Sequence, residues 1–184
     1  MVAHAVFLPA LPVEDRMPAT VQVNEFNGAG QTESLGIGFC HFLGADLAGN
    51  IDRRTANPID KPTAGVNRSF EKFYKIHVTA MGGSVSIGTL RHHLSAAPPA
   101  GFSAFTSAVA PPPAAPTYAT PTNADSAKAI NAMPTADPGV ATIGGTLTAD
   151  GQKSDFVVTQ LDVSTSASAG YSSVNQIFTY SEIS

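Results

Sequence analysis

The sequence predicts an all-β protein, an antiparallel β-sandwich of the jelly-roll or immunoglobulin-like type. Three observations support this prediction: apolar and polar residues alternate in several short runs, turn-forming residues stand between the runs, and almost no segment has a helical period. Short strands separated by turn signals are typical of sandwiches and barrels. The length of 184 residues suits a single domain.

The composition divides the chain into an arm and one domain. Residues 1–18 contain three prolines and no period, and we interpret them as an extended N-terminal arm. Residues 19–184 are predicted to form a single β-sandwich domain. Within it, residues 97–149 are rich in proline and alanine and hold only three charged residues, which favours an insertion of Pro-rich loops and short edge strands. A low-complexity linker is the alternative.

The first half of the domain shows four strand-forming segments. Residues 21–26 alternate and end at the turn signal Asn27-Gly28, and residues 35–42 form a second alternating run. After a polar connection, residues 69–80 alternate most clearly. Gly82-Gly83 then predicts a β-hairpin with residues 85–94, and a shift in apolar parity predicts a bulge near Gly88. In this hairpin Phe73 faces His92 across the two strands.

The second half of the chain predicts one more hairpin and a closing strand. Residues 140–148 and 155–163 flank Asp150-Gly151, which is a turn signal. Residues 174–183 form the last alternating run. Residues 123–132 are the one segment that could form a brief helix.

The overall composition excludes several classes of protein. Valine, isoleucine, leucine and phenylalanine together number 42, so the predicted core is lean and the surface is mostly small or weakly polar residues. A net charge of −4 argues against a nucleic-acid partner, and no apolar run is long enough to predict a membrane span. Cys40 is the only cysteine, so we expect no disulfide. The N-terminus lacks the basic start of a secretory signal, and we expect a protein made in the cytoplasm.

The chain shows no pattern that predicts catalysis, a cofactor or a metal. Gly36 and Gly38 lie inside a predicted strand, whereas a phosphate-binding glycine loop leads into a helix. The acidic loop at residues 46–52 lacks the alternation of an EF-hand. The histidines have no ligand spacing and are interpreted as sheet-surface residues: His4, His41, His77, His92 and His93. We therefore expect a protein that is not an enzyme.

The charge distribution is uneven and gives the one candidate site. Residues 53–91 hold seven cations and two anions, whereas the rest of the chain is strongly acidic. Complementary potentials steer and align protein partners, so this region is a candidate docking face for an acidic surface. A solvated hairpin face is the alternative. The candidate docking residues are Arg53, Arg54, Lys61, Arg68, Lys72, Lys75 and Arg91.

Several motifs resemble those of a known group of proteins. They are Asn24-Glu25-Phe26-Asn27-Gly28-Ala29-Gly30, Ser69-Phe70-Glu71-Lys72, Met81-Gly82-Gly83-Ser84, and the segments at residues 156–163 and 178–183. On these motifs the chain resembles tailed-bacteriophage virion structural proteins over residues 20–95 and 154–184. The resemblance implies a small β-rich component of the head or tail region. None of the motifs is catalytic.

The resemblance and the composition together lead to a functional expectation. We expect a non-enzymatic, multi-copy or homo-oligomeric virion component, an auxiliary capsid decoration or cement protein that binds the major capsid protein. The basic region 53–91 would contact the shell, and the arm would reach a neighbouring subunit. A neck or tail component, or a host-adhesion module, is the alternative. A carbohydrate-binding domain fits less well, because the chain has no tryptophan and four tyrosines.

Overall fold

The computed structural model describes residues 17–27, 32–35, 59–107, 130–168 and 174–184, and these residues form two antiparallel β-sheets packed as a sandwich. The described residues contain no helix. The predicted all-β, antiparallel sandwich class is therefore confirmed. The choice between jelly-roll and immunoglobulin-like types stays a prediction, as does the division into arm and single domain.

The described residues form strands of unequal length in two layers. The larger sheet has the strand order β2-β1-β4-β8-β6-β7, with β3 also paired to β8, and the smaller sheet is β5-β9. The strands are β1 (Thr20–Asn27), β2 (Thr32–Ser34), β3 (Val66–Arg68), β4 (Lys72–Ala80), β5 (Ser86–Leu94), β6 (Phe102–Ser107), β7 (Ile130–Ala132), β8 (Val157–Ser164) and β9 (Gln176–Ile183).

The main core lies between the two sheets, and alternation along β4 and β8 positions it. Successive side chains of a strand point to opposite faces. Tyr74 therefore faces the smaller sheet while Phe73 faces outward, and Val157 and Val158 divide in the same way. The core residues are Ala19, Tyr74, Ile76, Val78, Met81, Ile87, Leu90, Ile143, Leu147 and Val157.

The predicted hairpin between β4 and β5 is wrong. β4 pairs with β1 and β8, and β5 pairs with β9, so residues 81–85 carry the chain from one sheet to the other. The reason is that the apolar residues of β4 and β5 bury each other face to face across the sandwich, and strands side by side in one sheet cannot do this. The predicted bulge is confirmed, since the β5–β9 register shifts between Gly88 and Arg91.

The second predicted hairpin is also wrong, because residues 142–154 bond to both sheets. Leu147 exchanges two backbone hydrogen bonds with Ile87 of β5 (N···O 2.8 and 2.9 Å). A few residues later, Gln152 O accepts a hydrogen bond from Val78 N of β4 (3.0 Å). Asp150-Gly151 still turns the chain, as the sequence predicts, but the turn joins the two layers.

Three other predictions meet the structure only in part. The predicted helix is wrong at its end, because residues 130–132 form β7; residues 123–129 lie outside the described residues. Short strands in the Pro-rich region are confirmed by β6 and β7, of which only β7 lies at the edge of its sheet. Of the predicted strand at 35–42, only Leu35 is described, and it is exposed and lies just beyond β2.

The described end of the predicted arm packs on the connection between β4 and β5. Gly83 N donates a hydrogen bond to Met17 O (2.8 Å). Gly82 has φ +59°, a left-handed conformation that glycine adopts without strain. A Cβ atom added at Gly82 would lie 2.3 Å from Met17 O. Glycine is therefore needed here for both conformation and close approach.

We predict that Gly82→Ala destabilises the fold more than Gly65→Ala does. Both glycines have positive φ (+59° and +69°), but a Cβ at Gly65 meets nothing within 4 Å. Gly65→Ala should cost about 1 kcal/mol for the left-handed backbone alone. Gly82→Ala should cost about 2 kcal/mol more, because residues 17–18 must move away. Urea unfolding of both variants measures the difference, and equal losses would contradict the close approach.

Candidate interaction surface

The structure does not place the predicted docking residues on one surface. Arg53 and Arg54 lie outside the described residues. Lys61 is exposed on the segment before β3. The other four lie on three strands of the two sheets: Arg68 on β3, Lys72 and Lys75 on β4, and Arg91 on β5. Of these four, Lys72 is inside the sandwich.

Two of these cations are matched by carboxylates of the same chain. Arg68 Nε lies 3.5 Å from Asp162 Oδ1, and Arg91 Nη1 lies 3.5 Å from Asp137 Oδ1. Burial raises the pKa of the Asp162 carboxyl, although Arg68 acts to lower it. Arg91 Nε also donates a hydrogen bond to Thr179 Oγ1 (3.1 Å). Each guanidinium is therefore partly neutralised, and the positive potential of the 53–91 region is weaker than its composition predicts.

Lys72 is buried, which corrects its assignment as a docking residue. It lies two residues before Tyr74 on β4 and so shares the face that points into the sandwich. Its Nζ lies 3.1 Å from Glu25 Oε1, and the two side chains are 1% and 0% exposed. Glu25 Oε2 has no hydrogen-bond donor in the described part of the chain. Lys72 cannot contact a partner of the folded protein.

A row of polar side chains continues from Lys72 across the inner face of the larger sheet. Lys72 is opposite Thr159 on β8, and Thr159 is opposite Thr106 on β6. From the smaller sheet, His92 Nδ1 lies 3.2 Å from Thr106 Oγ1, and His92 Nε2 lies 2.8 Å from Gln176 Oε1. We call Glu25, Lys72, Thr159, Thr106, His92 and Gln176 the interior polar row.

His92 lies inside the sandwich, so its prediction as a sheet-surface residue is wrong. The predicted contact with Phe73 is also wrong: Phe73 faces outward, and the imidazole stacks on Phe178 of β9 with ring centroids 4.3 Å apart. Burial lowers the pKa of His92 to about 4, against the raising effect of the Gln176 hydrogen bond and with a smaller lowering effect from His93. His92 is therefore neutral at pH 7.

Lys75 lies on the opposite, outer face of the larger sheet, beside aromatic rings. Its Nζ is 4.0 Å from the ring centroid of Phe156 and 6.0 Å from that of Phe26. The two rings pack edge to face with centroids 5.0 Å apart. Burial against this aromatic surface lowers the pKa of Lys75, while the charge of Asp155 acts to raise it. Ammonium–aromatic contacts of this kind are favourable by about 0.5–2 kcal/mol.

Lys153 lies beside Lys75 on this face, although it is not among the docking residues predicted from the sequence. The segment before β8 forms a β-bridge between Lys153 and His77, which brings Lys153 beside β4. Its Nζ lies 2.6 Å from Glu33 Oε1 and 5.9 Å from the Phe26 centroid. No local pattern in the sequence predicts this bridge. We call Phe26, Glu33, Lys75, Lys153 and Phe156 the outer-face cluster.

Hydrogen bonds hold the acidic member of the outer-face cluster in place. Asn24 Nδ2 donates to Glu33 Oε1 (2.7 Å) and is 3.1 Å from His77 Nδ1. Burial acts to raise the pKa of Glu33, but the hydrogen bonds from Lys153 and Asn24 outweigh it and the net pKa is lowered. The cluster therefore holds a Lys153–Glu33 ion pair and, beside it, the Lys75 ammonium against the partly exposed Phe156 ring, an arrangement suited to a partner with acidic groups.

The described residues contain no group of three or more histidine, cysteine, aspartate or glutamate side chains that could hold a metal ion. Cys40, His4, His41 and the acidic loop at 46–52 lie outside them. No helix able to span a bilayer occurs in the described part of the chain. Comparison with protein-family models, with curated proteins and with solved structures finds no match.

We predict that Lys72→Met lowers the free energy of unfolding by about 3–5 kcal/mol, because it leaves the Glu25 carboxylate buried without its cation. The double variant Glu25→Leu with Lys72→Met should recover most of this loss, since well-packed apolar residues commonly replace a buried ion pair at little cost. Lys61→Met, at an exposed position, serves as the control and should change stability by less than about 0.5 kcal/mol. Urea unfolding of the three variants tests this, and a tolerated Lys72→Met would contradict the buried pair.

We predict that acid destabilises the fold through His92. The unfolded chain binds a proton at the ordinary histidine pKa of 6.5, whereas the folded chain binds it only near 4. Stability from this group is therefore full above pH 6.5 and falls as the pH is lowered towards 4, by up to about 3 kcal/mol. His92→Gln should flatten this fall. Thermal unfolding of both proteins between pH 7 and pH 4 measures this loss of stability. A His92→Gln variant that loses stability in parallel with wild type would contradict the lowered pKa of His92.

Proposed function

We propose that the chain is a non-enzymatic structural component of a tailed-bacteriophage particle, an auxiliary protein that decorates or cements the capsid. It would bind the major capsid protein and reside in the virion. The observation that carries the proposal is the outer-face cluster, in which Lys75 and Lys153 stand over Phe26 and Phe156 on a sheet face. The resemblance to virion structural proteins, over residues 20–95 and 154–184, supports the same role.

The outer-face cluster has the properties of a docking contact. Phe156 is partly exposed and can be covered further by a partner, whereas Phe26 is already buried in the fold. The Lys75 ammonium beside Phe156 steers and aligns an acidic surface. Lys75 is already partly desolvated against Phe156, so part of the desolvation of its ammonium group precedes binding. Binding of the folded form by a large shell also stabilises a protein with a lean core by mass action.

The burial of the interior polar row favours a structural role, and not a catalytic one, for Lys72 and His92. Lys72 and His92 have the side chains best suited to acid–base chemistry, but both are enclosed between the sheets. Each is engaged by a neighbour in the fold, Lys72 by Glu25 and His92 by Gln176. A substrate would have to open the sandwich to reach them.

The burial and ion pairs of the candidate docking residues decide which of them we propose as contacts with the shell. Lys72 is removed because it is buried, and Arg68 and Arg91 contribute less because carboxylates neutralise them. Lys61 and Lys75 remain. Lys153, from outside the 53–91 region, is paired with Glu33 (Nζ···Oε1 2.6 Å) and contributes less for the same reason. Arg53 and Arg54 stay in the set on their sequence alone.

We predict that the double variant Lys61→Glu with Lys75→Glu lowers incorporation into particles at least about tenfold, since reversed charges repel an acidic shell surface. The matched control is Lys61→Arg with Lys75→Arg, which keeps both charges at the same positions and should be incorporated like wild type. Quantitative mass spectrometry of purified particles, assembled in the host with each variant gene, gives the copy number per particle.

The same measurement distinguishes the proposed role from its alternative. Hundreds of copies per particle support the shell, whereas a few tens or fewer would overturn the capsid role in favour of a neck or tail component. Equal incorporation of the Glu and Arg variants would overturn the docking face. Absence of the chain from purified particles would overturn the virion role itself.

A further inference from the structure

In the part of the chain that the structure describes, β9 lies at an open edge of the smaller sheet. Among the described residues its one strand neighbour is β5. Residues 181–184 are exposed, and the side chains of Tyr180 and Ile183 are 36% and 60% exposed. An unpaired edge of this length is a template for pairing with another strand.

The backbone hydrogen bonds show which residues of β9 face the open side. Ser95 N donates to Asn175 O (2.9 Å), and Val85 N donates to Ile183 O (2.7 Å). The odd-numbered residues of β9 therefore direct their N–H and C=O groups towards β5. Because the direction alternates along a strand, Phe178, Tyr180 and Glu182 direct theirs away from β5. No hydrogen bond from the described residues reaches these groups.

The sequence of β9 lacks the residues that normally prevent strand pairing. β9 has the sequence QIFTYSEI, with no proline or lysine and with Glu182 as its single charged residue. The Glu182 carboxylate is turned to its own chain, where it accepts hydrogen bonds from Ala19 N (3.0 Å) and from Ser84 Oγ. The open edge is therefore almost free of charge.

We propose that β9 pairs antiparallel with β9 of a second copy of this chain, with the two-fold axis at Tyr180. Antiparallel pairing in this register joins the smaller sheets of the two copies into one four-stranded sheet, β5-β9-β9-β5. A two-stranded sheet is only marginally stable by itself, and two further strands relieve this weakness. The pairing uses the smaller sheet and does not rest on the capsid contact proposed above.

The self-complementarity of the strand is what selects a second copy as the occupant. With the axis at Tyr180, Ile177 of each copy faces Ile183 of the other, and Thr179 faces Ser181. Apolar pairs and hydroxyl pairs across strands are stabilising. Phe178 faces Glu182, so no like charges oppose each other.

The same register also satisfies the open backbone groups. Phe178 exchanges two hydrogen bonds with Glu182 of the other copy, and the two Tyr180 residues exchange two with each other. Residues 177–183 are centred on Tyr180, so this register brings both isoleucines of β9 into the overlap. A shift of two residues in either direction shortens the overlap and separates the isoleucine pairs.

The first test compares charges placed on and off the edge. Ile183→Lys puts a cation opposite Ile177 of the other copy and should weaken self-association at least about tenfold. Val140→Lys is the matched control, because Val140 is an equally exposed apolar residue (65%) that precedes the residues bonded to the other side of β5. Analytical ultracentrifugation of the full chain over a concentration series gives the dissociation constants. A monomeric wild type at 0.1–1 mM, or equal effects of the two lysines, would overturn the proposal.

The second test fixes the register. In a Cys40→Ser background, Tyr180→Cys places one thiol beside its symmetry mate, at a Cα–Cα distance of about 5.5 Å that a disulfide can span. Mild oxidation should crosslink most of this variant into dimers, whereas Val140→Cys in the same background should crosslink only slowly. Equal crosslinking of the two would overturn the register. Loss of particle incorporation bears on the capsid contact alone, so the two proposals fail separately.

Discussion

The backbone of residues 142–154 is the constraint on which the two-layer arrangement depends. It pairs with Ile87 of the smaller sheet and with Val78 of the larger one within a few residues, so the spacing of the layers is fixed by hydrogen bonds as well as by packing. A two-stranded sheet held only by side chains could slide over its neighbour. Here the sliding would break backbone bonds on one layer or the other, and the core between Tyr74 and Leu90 is kept in a single register.

The interior polar row imposes a second constraint, which acts through solvation. Charged and polar groups removed from water are costly unless they are paired. The contacts of Lys72 with Glu25 and of His92 with Thr106 and Gln176 therefore fix the register of these strands. The row crosses from the larger sheet to the smaller one at Thr106 and His92. It also separates the main core from a small apolar cluster of Leu94, Ala104 and Met133. A shifted register would bury several of these groups without partners.

The sequence allowed prediction of the features that depend on neighbours along the chain. Alternation gave the longer strands β1, β4, β5, β8 and β9, whereas the three-residue strands β2, β3 and β7 were not predicted from it. The parity shift gave the bulge near Gly88. Strand partners were not predictable in this way: Gly82-Gly83 has the composition of a hairpin turn, but the burial of β4 against β5 places the strands in different sheets. The same alternation that directs Tyr74 inward also directs Lys72 inward, so the burial of Lys72 was predictable from the sequence. The net charge of residues 53–91 does not depend on which face of the strand a cation occupies, so it gave no sign of this burial. Lys153 reaches the outer-face cluster through a long-range bridge that no local pattern reveals.

The hydrogen bond from Ala19 N to the Glu182 carboxylate brings two distant parts of the chain to one corner of the sandwich. Met17 lies at the same corner, against the connection after β4. Met17 and the last residues of β9 therefore lie side by side. Force applied at Met17 and Ser184 would load this corner and leave the rest of the sandwich unstretched.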